Sequence, residues 1–247
     1  MKSMFAAGAA ALALVLGGCG DGGGNANGQA AAADNGALKQ IPAPNGDWTQ
    51  MVAKTPEGGF RMGNPDAPVK LVEYGSLGCH VCAEFEEQGA PELRDTYVKS
   101  GQVSWEFRPY LLFPTDPGVS MLLLCQNENA FFPSVEQLYK DQEGWMGKIQ
   151  SMPAEQQQAL QTMAPRDAAA IIVKAGGLDE FFRQRGMPSS RIQSCLADPA
   201  VIDKVVAIKR LGDEQGVNGT PSFFVNGTFA GVGNWAGLEP LLRGAIS

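Results

Sequence analysis

The 247-residue sequence is poor in the residues that most often bind metals and nucleic acids. It contains one histidine, His80, and 19 lysines and arginines against 26 acidic residues, so its formal net charge is −7. Without a basic cluster, we do not expect nucleic acid as a partner. Three of the five cysteines, Cys19, Cys125 and Cys195, are isolated in the sequence. Because a structural zinc site needs a second pair of closely spaced ligands, we expect no metal site.

The chain also lacks an apolar run long enough to span a bilayer. The run Phe5–Leu16 follows a positively charged start and has the proportions of a secretory signal peptide. Leu16, two glycines and Cys19 come next and resemble a bacterial lipobox, in which Cys19 is lipidated and becomes the first mature residue. The alternative is an ordinary signal peptide cleaved nearby, which leaves Cys19 as a free thiol. Lipidation leaves an even four cysteines.

Large apolar residues are scarce in the following segment as well. Residues 20–59 are rich in Gly, Ala, Asn, Asp and Pro and show no periodicity, which is typical of a flexible tether. Near its end, Trp48 and Met51 either pack against the domain or contact a partner, and the sequence does not decide between these. We expect a signal peptide over 1–18, a lipid-anchored tether over 19–59 and one folded domain over 60–247.

The most informative stretch is the junction between a predicted strand and a predicted helix. The β-branched, apolar run from Val69 to Tyr74 predicts a buried strand, which ends at Gly75, and a helical pattern begins at Cys79. Cys79 and Cys82 form a Cys-x-x-Cys motif there. Unpaired N–H groups and the helix dipole favour a thiolate at such an N-terminus. The second cysteine lies one turn later, where it can attack a mixed disulfide formed by the first.

Two further features accompany this motif. Glu73 lies within the predicted strand, where a charge is costly unless its pKa rises or it exchanges protons with a neighbour. The alternative is a Glu73 that faces solvent on an edge strand. Thr220-Pro221 directly precedes an aromatic strand that ends in a tight turn at Asn226-Gly227.

The remaining pattern predicts strands near Phe60–Met62 and over Gln102–Tyr110, with a parallel βαβ unit leading into the second. Residues 116–197 show only short helical patterns. Asp198-Pro199 is a helix start, and a last helix is expected near Trp235–Arg243.

Glu73, the Cys79-His80-Val81-Cys82 motif and Thr220-Pro221, in this order and with helices between them, resemble the DsbA-like branch of the thioredoxin superfamily. The resemblance covers roughly residues 60–247. It implies an α/β thioredoxin fold, in which helices flank a central mixed sheet and an all-helical subdomain is inserted at about 116–197. The family members known best carry Cys-Pro-His-Cys, so the intervening His-Val pair differs from them in residues that tune the redox potential.

The resemblance also implies roles for single residues. Pro221 would be a cis-proline that faces the active-site disulfide, and Glu73 would be a proton relay for Cys82. Cys125 and Cys195 would form a structural disulfide of the kind seen in some relatives, with two buried free thiols as the alternative. We further expect His80 to stabilise the Cys79 thiolate by a hydrogen bond or by its charge, although its side chain could instead face solvent.

The sequence therefore predicts a thiol–disulfide oxidoreductase of the bacterial cell envelope, facing the periplasm. Cys79 would be the nucleophile and Cys82 the resolving cysteine, and no bound cofactor is needed because the disulfide itself carries the electrons. We expect a monomer that oxidises unfolded or partly folded envelope proteins and is recycled by a membrane redox partner. The alternatives are a disulfide reductase or isomerase, for instance in cytochrome maturation, and a non-redox lipid-tethered binding module or chaperone.

Overall fold

A computed structural model describes residues 36–246, and the centre of this region is a mixed six-stranded sheet. Its order is β1-β2-β4-β3-β5-β6; β3 and β4 are parallel, and the other neighbouring pairs are antiparallel. The strands are β1 Val52–Lys54, β2 Phe60–Met62, β3 Val69–Gly75, β4 Val103–Pro109, β5 Ser222–Val225 and β6 Thr228–Phe229.

Strand β3 lies in the interior of the sheet, between β4 and β5, and most of its side chains are buried. Val69, Leu71 and Tyr74 are at most 1% exposed, and strands that are buried on both faces read as nearly continuous apolar runs. After β3 the chain forms α1 (His80–Gln88), α2 (Ala90–Glu92) and a π-helix (Leu93–Val98), and it then returns as β4. Pro91 lies in α2, so the helix is divided where the sequence predicts an interruption.

The chain between β4 and the last part of the sheet is helical, as the sequence predicts. The first helix of this insert, α3, is buried along its whole length, so the other helices pack around it. One helix, α5, was not predicted, because its glycines Gly144 and Gly147 weaken the helical pattern. The insert contains α3 Asp116–Leu124, α4 Glu128–Lys140, α5 Gln142–Gln150, α6 Ala154–Leu160, α7 Pro165–Gly176, α8 Leu178–Gln184 and α9 Ser189–Ala197.

Two helices and a hairpin complete the domain. Helix α10 (Pro199–Glu214) begins where Asp198 accepts a hydrogen bond from the N–H of Ala200 at 2.9 Å, as expected for an N-cap. The β5–β6 hairpin turns at Asn226 and Gly227, both of which have positive φ. Helix α11 spans Trp235–Ile246 and ends three residues later than predicted.

Part of the predicted tether belongs to the folded domain. A 3₁₀-helix covers Trp48–Gln50, and β1 follows directly and pairs with β2. Trp48 is 6% exposed, and its indole N–H donates to the carbonyl of Ile41 at 2.7 Å. The tether prediction for this stretch was therefore wrong, since a three-residue strand is too short to show a pattern. The predicted signal peptide and the predicted lipidation site Cys19 lie outside the described residues.

Aromatic rings join the sheet to the insert. The ring of Phe131 in α4 stacks on Phe60 of β2 with centroids 3.9 Å apart and packs edge-on against Phe107 of β4 at 6.0 Å. All three rings are at most 1% exposed, so sheet and insert share one core. Within residues 36–246, no helix is long and apolar enough to cross a membrane.

Candidate active site

Cys79 lies at the C-terminal end of β3, after a short turn, and is the N-cap of α1. Its thiol is free and donates a hydrogen bond to the carbonyl oxygen of Thr220 at 3.3 Å. A hydrogen bond from Cys82 is the largest of the interactions that lower the pKa of Cys79 to about 5; burial opposes them. The side chain of Thr220 and the backbone N–H groups of Val81 and Cys82 supply the others. This position therefore favours a thiolate at neutral pH.

Cys82 has the opposite character. Its side chain is fully buried on the inner face of α1, and its thiol is also free. Burial raises the pKa of Cys82 well above that of an ordinary thiol, and the hydrogen bond that it donates to Cys79 raises it further. The pair thus consists of an acidic thiol, Cys79, which is 6% exposed, and a fully buried thiol, Cys82, which holds its proton more tightly.

Glu73 is fully buried beneath this pair. It lies between Phe107 of β4 and Phe223 of β5 in the register of the sheet. Its Oε2 accepts a hydrogen bond from the indole N–H of Trp105 at 3.0 Å, whereas its Oε1 has no partner among the described residues. Burial, and then the charge of Glu86, raise the pKa of Glu73 well above its usual range. The alternative of a solvent-facing Glu73 on an edge strand was wrong.

The Thr220–Pro221 peptide bond is cis and faces the nucleophile. The Thr220 carbonyl accepts the hydrogen bond from Cys79, and this places the loop before β5 directly against the sulfur. Thr220 and Pro221 are thus brought together with Cys79 and Cys82, although they lie about 140 residues later in the chain (the Cys79–Thr220 separation is 141).

His80 is the first residue of α1, and its side chain is exposed. The groups that lower the pKa of Cys79 are Cys82, Thr220 and two backbone N–H groups, and His80 is not one of them. The structure therefore corresponds to the alternative in which His80 faces solvent.

Glu86 is a buried acid that the sequence reasoning missed. It lies in α1 one turn after Cys82, and it lines two surface grooves together with Arg94 and Glu136. Burial, and then the charge of Glu136, raise the pKa of Glu86 to about 8. A helical projection from Cys82 could have placed Glu86 on the same face, because residues i and i+4 are neighbours on a helix.

The other two cysteines of the domain are bonded to each other. A disulfide joins Cys125, at the end of α3, to Cys195 in α9, and the two residues are separated by 70 positions. This is the pairing that the resemblance implied. Within residues 36–246, no group of three or more His, Cys, Asp or Glu side chains could hold a metal ion.

A family model described as thioredoxin matches residues 55–242. The chain belongs to the thioredoxin family. A protein of Rickettsia bellii, provisionally named protein-disulfide oxidoreductase, is 24% identical to it over 176 residues. That match covers 70% of this chain but 59% of the relative, so this chain spans less than two thirds of the relative's length.

Solved structures of this family show the same architecture. Protein-disulfide isomerase from Novosphingobium aromaticivorans is 28% identical and matches with a TM-score of 0.72, over 77% of this chain and 98% of that chain. The alpha-DsbA1 protein of Wolbachia pipientis matches with a TM-score of 0.60 at 19% identity, over 83% and 93% of the two chains. The predicted thioredoxin fold of the DsbA-like kind is thereby confirmed.

Proposed function

We propose that this chain is a thiol–disulfide oxidoreductase that oxidises the dithiols of secreted and envelope proteins. The observation that carries the proposal is the opposite shift of two neighbouring cysteines. The pKa of Cys79 is lowered to about 5, whereas burial raises that of Cys82. A stable Cys79 thiolate lowers the free energy of the reduced pair, and the same interactions therefore make the disulfide more oxidising.

The reaction begins from the Cys79–Cys82 disulfide. A substrate thiolate attacks the sulfur of Cys79, so that the S–S bond breaks and Cys82 leaves with the electron pair. A mixed disulfide between the substrate and Cys79 results. The second substrate thiolate then attacks the substrate sulfur of that bond and releases Cys79 as a thiolate. In balance, two substrate thiols become a disulfide, and the protein disulfide becomes one thiolate and one thiol with the release of one proton.

Glu73 supplies the proton that Cys82 needs in this scheme. Because burial raises its pKa, Glu73 keeps its proton to a higher pH than an ordinary carboxyl group, and it can donate that proton to the leaving sulfur of Cys82. Glu86 raises the pKa of Glu73 electrostatically and lines the grooves at the surface. We propose that protons pass from solvent to Glu73 along this acidic pair.

We further propose that the protein acts as a monomer in the envelope, held on the periplasmic side by a lipid on Cys19. The envelope location and the lipid anchor rest on the signal-like start of the sequence and on the lipobox pattern that ends in Cys19. A membrane redox partner would reoxidise Cys79 and Cys82 after each turnover, since the reaction leaves both reduced.

A thiolate titration combined with a thiol-oxidation assay tests the proposal. Absorbance at 240 nm of the reduced protein should show Cys79 titrating at a pH of about 5. The oxidised protein should convert a dithiol peptide to its disulfide, and Cys79→Ser and Cys82→Ser should each abolish turnover. A Cys79 that titrates near the roughly 8.5 of a free thiol would contradict the mechanism. A wild-type protein that converts no dithiol peptide would favour the non-redox binding module.

His80→Ala belongs in the same titration. A histidine that stabilises the thiolate would raise the pKa of Cys79 when it is removed. Because the side chain of His80 is exposed in the structure, we expect the titration to remain unchanged.

Disulfide isomerisation is the second candidate function. The observation that favours it is the likeness to the protein-disulfide isomerase of Novosphingobium aromaticivorans, at 28% identity and a TM-score of 0.72. Reactivation of a substrate protein with scrambled disulfides, measured with the reduced protein, distinguishes the two candidates. An oxidase turns over dithiols faster than it repairs scrambled disulfides, and an isomerase shows the reverse.

A further inference from the structure

The turn Ser76–Cys79 carries the nucleophile from β3 into α1. It is closed by a hydrogen bond from the backbone N–H of Cys79 to the carbonyl of Ser76 at 3.1 Å. Gly78 lies inside the turn, and Leu77 is fully buried. Such a short turn has few contacts of its own, so its conformation depends on the side chains that surround it.

Asp116, the first residue of α3, holds one side of this turn. Its buried carboxylate accepts hydrogen bonds from the N–H of Gly78 at 3.0 Å and from the hydroxyl of Ser76 at 2.9 Å. The same carboxylate accepts from the N–H groups of Leu112 and Phe113 at 2.8 and 2.7 Å. Asp116 therefore ties the turn to the loop that follows β4.

Gln142, the first residue of α5, holds the other side. Its Nε2 donates to the carbonyl of Leu77 at 2.7 Å and to the carbonyl of Cys79 at 3.0 Å. The hydroxyl of Tyr139, in α4, donates to the carbonyl of Ser76 at 3.1 Å. Three side chains of the helical insert thus bind main-chain and hydroxyl groups of one four-residue turn.

These contacts bear on the acidity of Cys79. The thiolate is stabilised by hydrogen bonds from the thiol of Cys82, from the side chain of Thr220 and from the backbone N–H groups of Cys82 and Val81. Such hydrogen bonds weaken steeply when their distances or angles change. A turn that can shift relative to α1 would misalign the sulfur with these donors. Displacements of about 1 Å are enough to alter reactivity in enzyme sites.

We propose that Asp116 and Gln142 are positioning residues for Cys79, through which the helical insert fixes the active-site turn and aligns the nucleophile with its hydrogen-bond donors. The inference rests on the proposed function, because it concerns the same sulfur. The insert would thus influence the chemistry indirectly, through the position of the turn that carries Cys79.

Gln142→Met is the main test, because methionine keeps the length and volume of the side chain and removes both N–H donors. The matched control is Gln102→Met. Gln102 is also buried and donates to a main-chain carbonyl, that of Lys39 at 2.7 Å, but it precedes β4, next to the start of β3. Both variants lose hydrogen bonds to the backbone, so both should lose comparable thermal stability.

Only Gln142→Met should change the pKa of Cys79. We expect the pKa of Cys79, measured by absorbance at 240 nm, to rise by about one unit. At any pH below the wild-type pKa, alkylation by iodoacetamide should then slow about tenfold. Gln102→Met should titrate as the wild type does. The reduction potential of the Cys79–Cys82 pair, measured in glutathione buffers, should become less oxidising in Gln142→Met alone.

Asp116→Asn is a second variant, and it tests the positioning role if Gln142→Met does not fold. Asparagine must turn an N–H group toward either Gly78 or the loop at Leu112 and Phe113, so the same rise in the Cys79 titration is expected. A folded Gln142→Met or Asp116→Asn that titrates like the wild type overturns the inference. If wild-type protein oxidises the dithiol peptide in that case, the proposed function stands and the positioning role alone fails.

Discussion

Glu73 carries a carboxyl group into the interior of the sheet, where ionisation costs free energy. Its pKa is raised by burial and by Glu86, so the folded protein binds a proton more tightly than the unfolded chain. The stabilisation by this proton is complete below the ordinary pKa of 4.5, and it is lost as the pH rises through the raised value. The buried acid thus provides a proton donor beside Cys82, and it lowers the stability of the fold at alkaline pH.

Glu73→Gln tests both effects, the lowered stability at alkaline pH and the donation of a proton to Cys82. The variant should match the wild type in thermal stability near pH 4 and exceed it at pH 9, because glutamine cannot ionise. Its turnover with a dithiol peptide should fall about 10²-fold, the usual effect of removing a general acid. Thermal scans at both pH values and the oxidation assay measure the two effects. A variant with unchanged turnover would remove Glu73 from the proton path.

The strand-to-helix junction depends on close packing at Gly75, the last residue of β3. A Cβ at Gly75 would lie 2.5 Å from the ring of Phe107, and that ring is itself packed against Phe131 and Tyr139. The ring cannot move aside without disturbing these neighbours.

Gly75→Ala should therefore destabilise the protein by about 2 kcal/mol. Gly147→Ala is the control: it lies in α5, where a Cβ would meet nothing within 4 Å. Alanine there should stabilise the helix by roughly 0.5–1 kcal/mol. Urea denaturation of both variants gives the two signs, and a neutral Gly75→Ala would mean that the junction can relax.

The elements differ in how well the sequence predicts them. Long patterned elements such as β3, β4 and α10 were predicted within a few residues. Strand β1 was missed because of its length, and α5 because of its two glycines.

The site residues also differ in how well local sequence patterns predict them. Cys79, Cys82 and Glu73 lie in one stretch and were identified together. Asp116 and Gln142 reach the turn from 38 and 65 positions away, and no local pattern signals such contacts.

The Cys125–Cys195 disulfide acts on the molecule as a whole, because it closes a loop that contains most of the helical insert. Removing a crosslink between residues 70 positions apart should cost about 4 kcal/mol, since the unfolded chain regains its freedom. The variant with both Cys125→Ala and Cys195→Ala should unfold at correspondingly lower urea concentration. It should keep the Cys79 titration, and a shifted titration would show that the two disulfides are coupled.

The redox state of the active site is linked to the stability of the whole domain. If the disulfide is oxidising, the reduced form must be the more stable one, which reverses the usual effect of a crosslink. The lowering of the pKa of Cys79 from 9.0 to about 5 stabilises the folded reduced form. This stabilisation is complete above pH 9. This contribution declines as the pH falls from 9 and is lost as the pH falls through about 5.

We therefore expect the melting temperature of the reduced form, minus that of the oxidised form, to be positive at pH 8 and to decrease steadily toward pH 4. Glu73 and Glu86 are present in both forms, so the part of their contribution that does not depend on Cys82 cancels in the difference. Thermal scans of both forms across this range, with Cys125–Cys195 left intact, provide the comparison. An oxidised form that is the more stable at pH 8 would favour a reductase.

The hydrogen bond from Trp105 to Glu73 gives the protein an optical reporter of its own chemistry. An indole whose N–H is bonded to a carboxyl group changes its emission when that carboxyl gains or loses charge. Glu73 in turn interacts electrostatically with Cys82, so opening or closing the disulfide reaches the ring through a single intermediate. Trp105 is 2% exposed, which shields its fluorescence from the solvent. We therefore expect the emission of Trp105, one of four tryptophans in the chain, to differ between the oxidised and reduced protein.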